Sequence, residues 1–340
     1  MGKALGDLGA AMSAALTLVG DRLGLYKAMK GAGWLSSAEV AKRAGVAERS
    51  VREWLLNQAA GGYVEHDAKT GKFRLPDEQA MALAEEGSPV FVQGAFQVTL
   101  SVFRDLAKIE ESFRTGNGLG WGEHDASLFE GTERFFRPGY NANLVSSWIP
   151  ALEGVKAKLE RGAKVADVGC GHGASTILMA KAFPKSTFVG LDYHKPSIEW
   201  ATRAAKEAGV AKNTKFEVAR STDYPGKGFD LVAFFDCLHD MADPAAVAKH
   251  VRESLAPDGT WMIVEPMAKD RVEENLHPIG RLFYAASTTI CVQASLSEKG
   301  IAIGAQAGEA KLRELLAKGG FTRIRRAAET PFNMILEARA

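Results

Sequence analysis

The sequence predicts an α/β protein in two parts, a helical N-terminal module followed by a parallel β-sheet wound with helices. Three observations predict it. From Lys164 onward, short apolar runs alternate with helical stretches, which is the pattern of parallel strands joined by right-handed crossovers. Before them, residues 35–75 read as helix, turn, helix and hairpin. Between the two parts lies a glycine-rich break, Thr115-Gly116-Asn117-Gly118-Leu119-Gly120-Trp121-Gly122.

Residues 4–30 are rich in Ala and Leu and predict helix. At Leu35-Ser36-Ser37-Ala38-Glu39 a helix starts, with Ser36 or Ser37 as cap and Glu39 able to reach back toward Ser36. That helix ends at Gly45. The next carries Val51, Trp54, Leu55 and Leu56 on an apolar stripe and stops at Gly61-Gly62. Residues 63–66 and 72–75 alternate around Thr70-Gly71 as a hairpin, completing a winged helix. Residues 77–115 read as helical, and a further helical segment runs to about Arg161. Strands are then expected at 164–168, 187–191, 214–219, 229–235 and 260–265, with helices starting near Ala174, Lys195 and Pro244. A helix at 309–318 precedes two last strands, 322–328 and 332–338, which the short Glu329-Thr330-Pro331 turn makes antiparallel.

A length of 340 residues favours two domains, and 46% hydrophobic with 24% charged residues is ordinary globular composition. A net charge of +1 makes no electrostatic case for a nucleic-acid partner. Cys170, Cys237 and Cys291 are far apart, with neither disulfide nor zinc spacing, which suits a reducing compartment. Lys3 followed by the apolar run 8–20 superficially resembles a signal peptide, but Asp7 and Asp21-Arg22 argue against export. The expectation is a cytoplasmic protein without a membrane span.

The first strand of the α/β part ends in Asp167-Val168-Gly169-Cys170-Gly171-His172-Gly173. A turn from strand to helix that brings the backbone close to a ligand needs glycine. In a dinucleotide fingerprint, GxGxxG, the third glycine would come one residue later, and Asp167 would repel a pyrophosphate. S-adenosylmethionine (SAM) has no phosphate and carries an ammonium, which an acidic neighbour suits. Asp192, at the end of the second strand, can accept both ribose hydroxyls.

On these residues the chain resembles the class I SAM-dependent methyltransferases. Residues Asp167 to Gly173 look like their first motif and Asp192 like their ribose-binding acid. Phe229-Asp230-Leu231-Val232 looks like the strand before their active-site loop. The resemblance implies a Rossmann-like sheet, parallel with a reversed last strand. With the winged helix it extends to small-molecule O-methyltransferases of plants and of bacterial secondary metabolism. It implies a cofactor set of Asp167, Gly169, Gly171, Gly173, Asp192, Tyr193, Phe235 and Asp236. Where many relatives place an adenine-binding Asp, this chain has Arg220-Ser221-Thr222-Asp223, and Ser221 and Thr222 are the expected adenine neighbours. The implied domains are 1–115 for dimerisation, 116–160 as a helical linker contributing to the substrate pocket, and 161–340 for SAM, with a lid insertion at about 266–304.

In the plant-type enzymes a His-Asp-Trp element supplies the catalytic histidine, and His239-Asp240-Met241 matches its first two residues. A phenol with a pKa near 10 is mostly protonated at neutral pH, so a positioned imidazole with a pKa near 6.5 can take its proton, worth about 10²–10⁴-fold. Two readings stay open: His239 as general base, or as a structural residue with catalysis by proximity alone. Glu265, at the end of the fifth strand, is one group able to orient the ring. A lone His-Asp pair with no second cluster gives no metal site. His172 reads as a wall of the methionine pocket and Cys170 as a small filler. Tyr140, Phe136, Phe283, Tyr284 and Ser287 are the candidate acceptor contacts. The reading is methyl transfer to a small aromatic or secondary-metabolite hydroxyl by a homodimer. N, C or S as acceptor, and SAM binding without catalysis, are the alternatives. Arg49 and Arg52 beside Glu48 and Glu53 make a poor phosphate-binding helix, so no nucleic-acid partner is expected.

Overall fold

In the computed structural model, which describes residues 1–340, the Ala- and Leu-rich N-terminus forms α1 (Gly2–Arg22), followed by α2 (Leu25–Met29). The next helix, α3 (Ser37–Ala44), starts on a reciprocal cap. Ser36 Oγ accepts from the Glu39 amide at 3.2 Å, and Glu39 Oε2 accepts from the Ser36 amide at 2.7 Å. The second helix of the winged module is α4 (Glu48–Ala60), and its wing is the antiparallel pair β1 (Glu65–Asp67) and β2 (Lys72–Arg74). Leu35 bridges to Phe73 as a third short strand would. Of the predicted α4 stripe, Val51, Trp54 and Leu55 are buried while Leu56 faces outward; Trp54 lies edge-on to Tyr26 at 5.0 Å and its indole N–H donates to Leu16 O at 2.8 Å.

The chain continues through α5 (Asp77–Leu83), α6 (Gln93–Arg104), α7 (Leu106–Thr115) and α8 (Ser127–Asn143). It forms two compact units, residues 1–103 with 126–141 and residues 104–125 with 142–340. These limits differ from a division at 115 and 160, and the packing says why. Ser112 of α7 hydrogen-bonds Gln293, and the Leu119 amide donates to Gln293 O at 3.0 Å, so 104–125 belongs with the C-terminal part. In the first unit α6 and α8 cross in backbone contact. A Cβ on Gly94 would lie 2.3 Å from Phe135 N and 2.6 Å from Gly131 O. Arg134 of α8 also pairs with Asp21 and, at 2.9 Å, with Glu86.

The second unit proceeds through α9 (Ile149–Ala151) and α10 (Val155–Arg161) to the sheet. Its strands and helices alternate as β3 (Lys164–Val168), α11 (Ala174–Ala182), β4 (Thr187–Asp192), α12 (Lys195–Glu207), β5 (Thr214–Val218), β6 (Phe229–Phe235), α13 (Pro244–Ser254) and β7 (Leu255–Pro266). After β7 come α14 (Pro278–Ala286), α15 (Val292–Ser297), α16 (Glu309–Lys318), β8 (Arg323–Glu329) and β9 (Asn333–Arg339). The strand order is β5-β4-β3-β6-β7-β9-β8, parallel from β5 to β7, with β9 antiparallel to both β7 and β8. The central strands β3 and β6 are buried on both faces, which explains their unbroken apolar runs. Trp261 anchors the core between Phe234 at 5.0 Å and Phe321 at 5.2 Å. The order reverses between β3 and β6, and the crevice at the carboxyl ends of those strands is where an open sheet binds ligands. No helix is long and apolar enough to cross a membrane.

Candidate active site

At the carboxyl end of β3 the backbone turns through Gly169, Gly171 and Gly173, with φ of 74°, 50° and 81°. Two of these glycines are required twice over. A Cβ on Gly169 would meet Cys237 Sγ at 2.7 Å, and one on Gly173 would meet the Phe216 ring at 2.9 Å. The turn is tied to β4: the amides of Gly169 and Cys170 donate to Leu191 O at 2.8 and 3.1 Å.

Asp192, at the end of β4, is half-buried and holds the same turn. Its Oδ2 accepts from the Gly171 amide at 2.9 Å and its Oδ1 from the His194 amide at 2.8 Å. Burial pushes its pKa up, and those two amides oppose the rise. Asp167 is fully buried under the turn. Its Oδ2 accepts from Ser175 Oγ at 2.7 Å and Thr176 Oγ1 at 2.6 Å, while its Oδ1 has no hydrogen-bond partner. Burial raises this carboxyl to about 6, against the pull of the two hydroxyls. His172 stacks on Trp200 at 4.8 Å, and burial lowers its pKa to about 4, so it is neutral at physiological pH.

Beyond β6, Phe235 is buried and Asp236 adopts a left-handed φ of 52°. Asn333, the first residue of β9, donates to Asp236 Oδ1 at 2.7 Å. A non-glycine residue held there is strained backbone of the kind that gathers at functional sites. The short 3₁₀ turn Leu238–Asp240 follows and presents His239, which is only 3% exposed. Its Nδ1 lies 2.5 Å from Glu265 Oε2, and Glu265 Oε1 accepts from the Leu238 amide at 2.9 Å. One buried carboxylate therefore sets both the turn and the ring. With Nδ1–H donating to Glu265, Nε2 is the remaining basic atom. Burial disfavours the imidazolium, but the carboxylates of Glu265 and Asp240 outweigh it and hold the His239 pKa well above its ordinary value. Asp240 is itself buried, which raises its pKa, and its side chain is hydrogen-bonded by Cys291 and Trp121. Trp121 also meets the Tyr193 hydroxyl through its backbone, so it spans from the β4 end to the histidine loop.

The insertion after β7 clamps this loop. The Ile301 amide donates to Ala242 O at 3.0 Å and Ser295 Oγ to Met241 O at 3.1 Å. A π-helical segment, Ser287–Cys291, lies within the insertion, a helix irregularity frequent at functional sites.

The predicted residues sort accordingly. Asp167, the three glycines, Asp192, Tyr193, Phe235, Asp236 and His239 gather at the carboxyl edge of the β4, β3 and β6 ends. Ser221 and Thr222 follow β5 on the same edge, with Thr222 exposed. Phe283 is buried, and Tyr284 lines a cavity of about 600 Å³ with Asn275, His277 and Arg281. The Ser287 hydroxyl accepts from the Ala305 amide at 3.0 Å and so fixes the 304–305 turn. Phe136 and Tyr140 stack at 6.0 Å on α8, in the first unit. Trp121 and Asn333 lie outside the predicted set, and Cys291 is expected from sequence only as part of the insertion, not as a partner of the histidine loop. Trp121 carried a signal, a large aromatic inside an otherwise small-residue break. Cys291 and Asn333 carried none, because only tertiary structure brings them to the loop.

A methyltransferase-domain family profile matches residues 159–320, and an Rv2258c-like winged helix–turn–helix profile matches residues 11–85. The 27-O-demethylrifamycin SV methyltransferase of Amycolatopsis mediterranei is 26% identical over 189 residues, 53% of this chain and 64% of that protein. The acetylserotonin O-methyltransferase of Mus musculus is 30% identical over 183 residues, 52% of this chain and 43% of that protein. The chain thus spans about half the length of these relatives. Among solved structures, human N-acetylserotonin methyltransferase in complex with SAM superposes with a TM-score of 0.71 at 16% identity, covering 99% of this chain and 96% of that one. That likeness extends the shared fold over both units. Residues 159–320 thus belong with the methyltransferase domains and residues 11–85 with the Rv2258c-like winged helix–turn–helix domains.

Proposed function

We propose that this chain transfers a methyl group from SAM to a hydroxyl of a small aromatic acceptor, with His239 as general base. The observation that carries the reading is the buried Glu265–His239 pair, at 2.5 Å, on the same sheet edge as the glycine turn. The residues suit the cofactor: Asp167 keeps a buried oxygen without a partner, and the acidic set Asp167 and Asp192 favours a ligand bearing cationic rather than phosphate groups. When bound, SAM supplies a methyl group already activated by its sulfonium. The protein's task is then the acceptor. Glu265 fixes the ring and leaves Nε2 to take the hydroxyl proton as the oxygen gains the methyl. An imidazole held above its ordinary pKa is closer to a phenol's value near 10 and so a stronger base, although a smaller fraction of it is neutral at pH 7. The relatives named for 27-O-demethylrifamycin SV and for acetylserotonin favour an aromatic or secondary-metabolite acceptor. Phe283 and Tyr284, in the same unit as His239, are the residues proposed for it.

The lid role of the insertion 266–304, dimerisation through the first unit and a reducing, cytoplasmic setting belong to the same reading. Three free cysteines suit that compartment. On α4, Arg49 pairs with Glu53 at 2.6 Å and Arg52 with Glu48 at 2.8 Å, which neutralises the helix a DNA-binding winged helix would use. Calorimetry with S-adenosylhomocysteine and NADH, followed by turnover on a panel of phenols, tests the proposal. Binding of the homocysteine form with methylated phenols as products is expected. Tight NADH binding, or cofactor binding with products methylated on nitrogen alone, would overturn it.

A further inference from the structure

Three potential metal donors meet beside the proposed base. His239, Asp240 and Cys291 place their ligand atoms within 4.8 Å of one another, all in the second unit. Cys291 already hydrogen-bonds both His239 and Asp240, and one acceptor of the cluster is left over. Asp240 Oδ1 is buried without a hydrogen-bond partner, on a side chain only 9% exposed. It stands 3.2 Å from His239 Nε2, too far off the N–H direction to bond it. Nδ1 of the same ring is bound to Glu265, the carboxylate–histidine arrangement that fixes the tautomer of a metal-ligating imidazole. Cys291 adds a thiol, pushed up to about 12 by burial and the Asp240 carboxylate, so it ionises only if a cation displaces its proton.

We propose that His239 Nε2, the Asp240 carboxylate and the Cys291 thiolate form a zinc-binding site that, when filled, blocks methyl transfer. Imidazole, carboxylate and thiolate together are a zinc donor set. Zinc bond lengths put tetrahedral donors roughly 3.5 Å apart, so side-chain adjustments of about 1 Å close the cluster. Binding releases the Cys291 thiol proton and any proton on Nε2, and the fourth position stays open to water. The metal would then occupy the lone pair on which a base depends. The zinc site rests on the donor geometry alone, and the block of methyl transfer rests on the reading of His239 as the base.

Titration of the full chain with Co²⁺ alone and Zn²⁺ alone tests it. One metal per chain is expected, with a thiolate-to-cobalt absorption band that Zn²⁺ displaces. Cys291→Ser should abolish that band, Asp240→Asn should weaken binding, and Glu265→Gln should weaken it by about 10–100-fold. Thermal melts and S-adenosylhomocysteine affinity establish that each variant is folded. Cys291→Ala serves as a second probe should the serine variant unfold. Absence of the band, or its survival in both Cys291 variants, would overturn the site, since Cys170 or Cys237 would then be the ligand. In methyl-transfer assays Zn²⁺ should inhibit the parent and lose potency on Cys291→Ser. Inhibition of equal potency would overturn the regulatory part. The spectroscopic result is independent of whether the chain methylates phenols.

Discussion

Glu265 and Asp167 are both buried carboxylates, yet they dispose of their oxygens differently. Glu265 spends both oxygens inside the protein, on the Leu238 amide and the His239 ring. His239→Ala should therefore leave S-adenosylhomocysteine affinity nearly unchanged while lowering turnover about 10²-fold or more on a weakly acidic phenol. The loss should shrink for acceptors already ionised at the assay pH, and an equal loss across the panel would point to positioning instead of proton transfer. Asp167, in contrast, keeps one oxygen unspent. Its pKa of about 6 lies above its unfolded value near 3.9, so its ionisation costs the ligand-free protein stability. The cost is absent below pH 4, grows as pH rises to about 6, and stays constant above. A ligand ammonium that pairs with the carboxylate recovers part of it. Cofactor affinity should accordingly fall as pH drops through about 6, by at most roughly tenfold per unit. Asp167→Asn should flatten that dependence in calorimetry and raise the ligand-free melting temperature at pH 8. Asp192→Ala should weaken binding by about 1.5–3 kcal/mol, the worth of hydrogen bonds to a charged group.

Elements were legible where local chemistry decides them. The apolar run 229–235 became β6, the Ser36–Glu39 cap started α3, and the Glu329-Thr330-Pro331 turn paired β8 with β9. The glycine turn was legible for the same reason, since its conformation demands glycine whatever surrounds it. What the sequence hid is long-range. Nothing local in Ser112 or Leu119 reports that Gln293 will receive them. The π-helical segments Leu144–Trp148 and Ser287–Cys291 likewise carry no turn or breaker residue that sets them apart from ordinary helix. The α6–α8 crossing is a further case, because Gly94 and Gly131 look like helix-weakening residues until their helices touch. Gly94→Ala forces a Cβ into the α8 backbone and should cost about 1–3 kcal/mol in denaturant unfolding. Gly139→Ala, on the same α8 with nothing within 4 Å of the new methyl, should instead be neutral or stabilise by about 0.5–1 kcal/mol. Equal effects at the two sites would mean that helix propensity, and not the crossing, governs both.

For the whole molecule, the informative feature is the apolar surface left on α1. Leu5, Leu8 and Met12 are 62%, 63% and 76% exposed, and their i, i+3, i+7 spacing places them on one stripe. Val19 and Leu23, also exposed, continue it toward the winged module. Single exposed apolar residues mean little, but a contiguous stripe along a helix marks an association surface. The C-terminal turns of α1 pack into the core through Thr17, Leu18 and the Trp54 indole on Leu16. The core-packed C-terminal turns and the exposed stripe therefore have separable roles. A self-complementary stripe pairing about a two-fold axis buries it in both copies at once, so a homodimer is the occupant proposed. The paired arginines of α4 make duplex DNA the weaker alternative. Leu8→Asp with Met12→Asp should convert the dimer to a monomer by light scattering without lowering the melting temperature measured at monomer concentrations, because neither side chain is buried within the chain. Adding random duplex DNA should leave the mass of the parent chain unchanged at both low and high salt. A parent chain that scatters as a monomer at micromolar concentration would remove the dimer, and salt-sensitive uptake of DNA would reassign the winged module to nucleic acid.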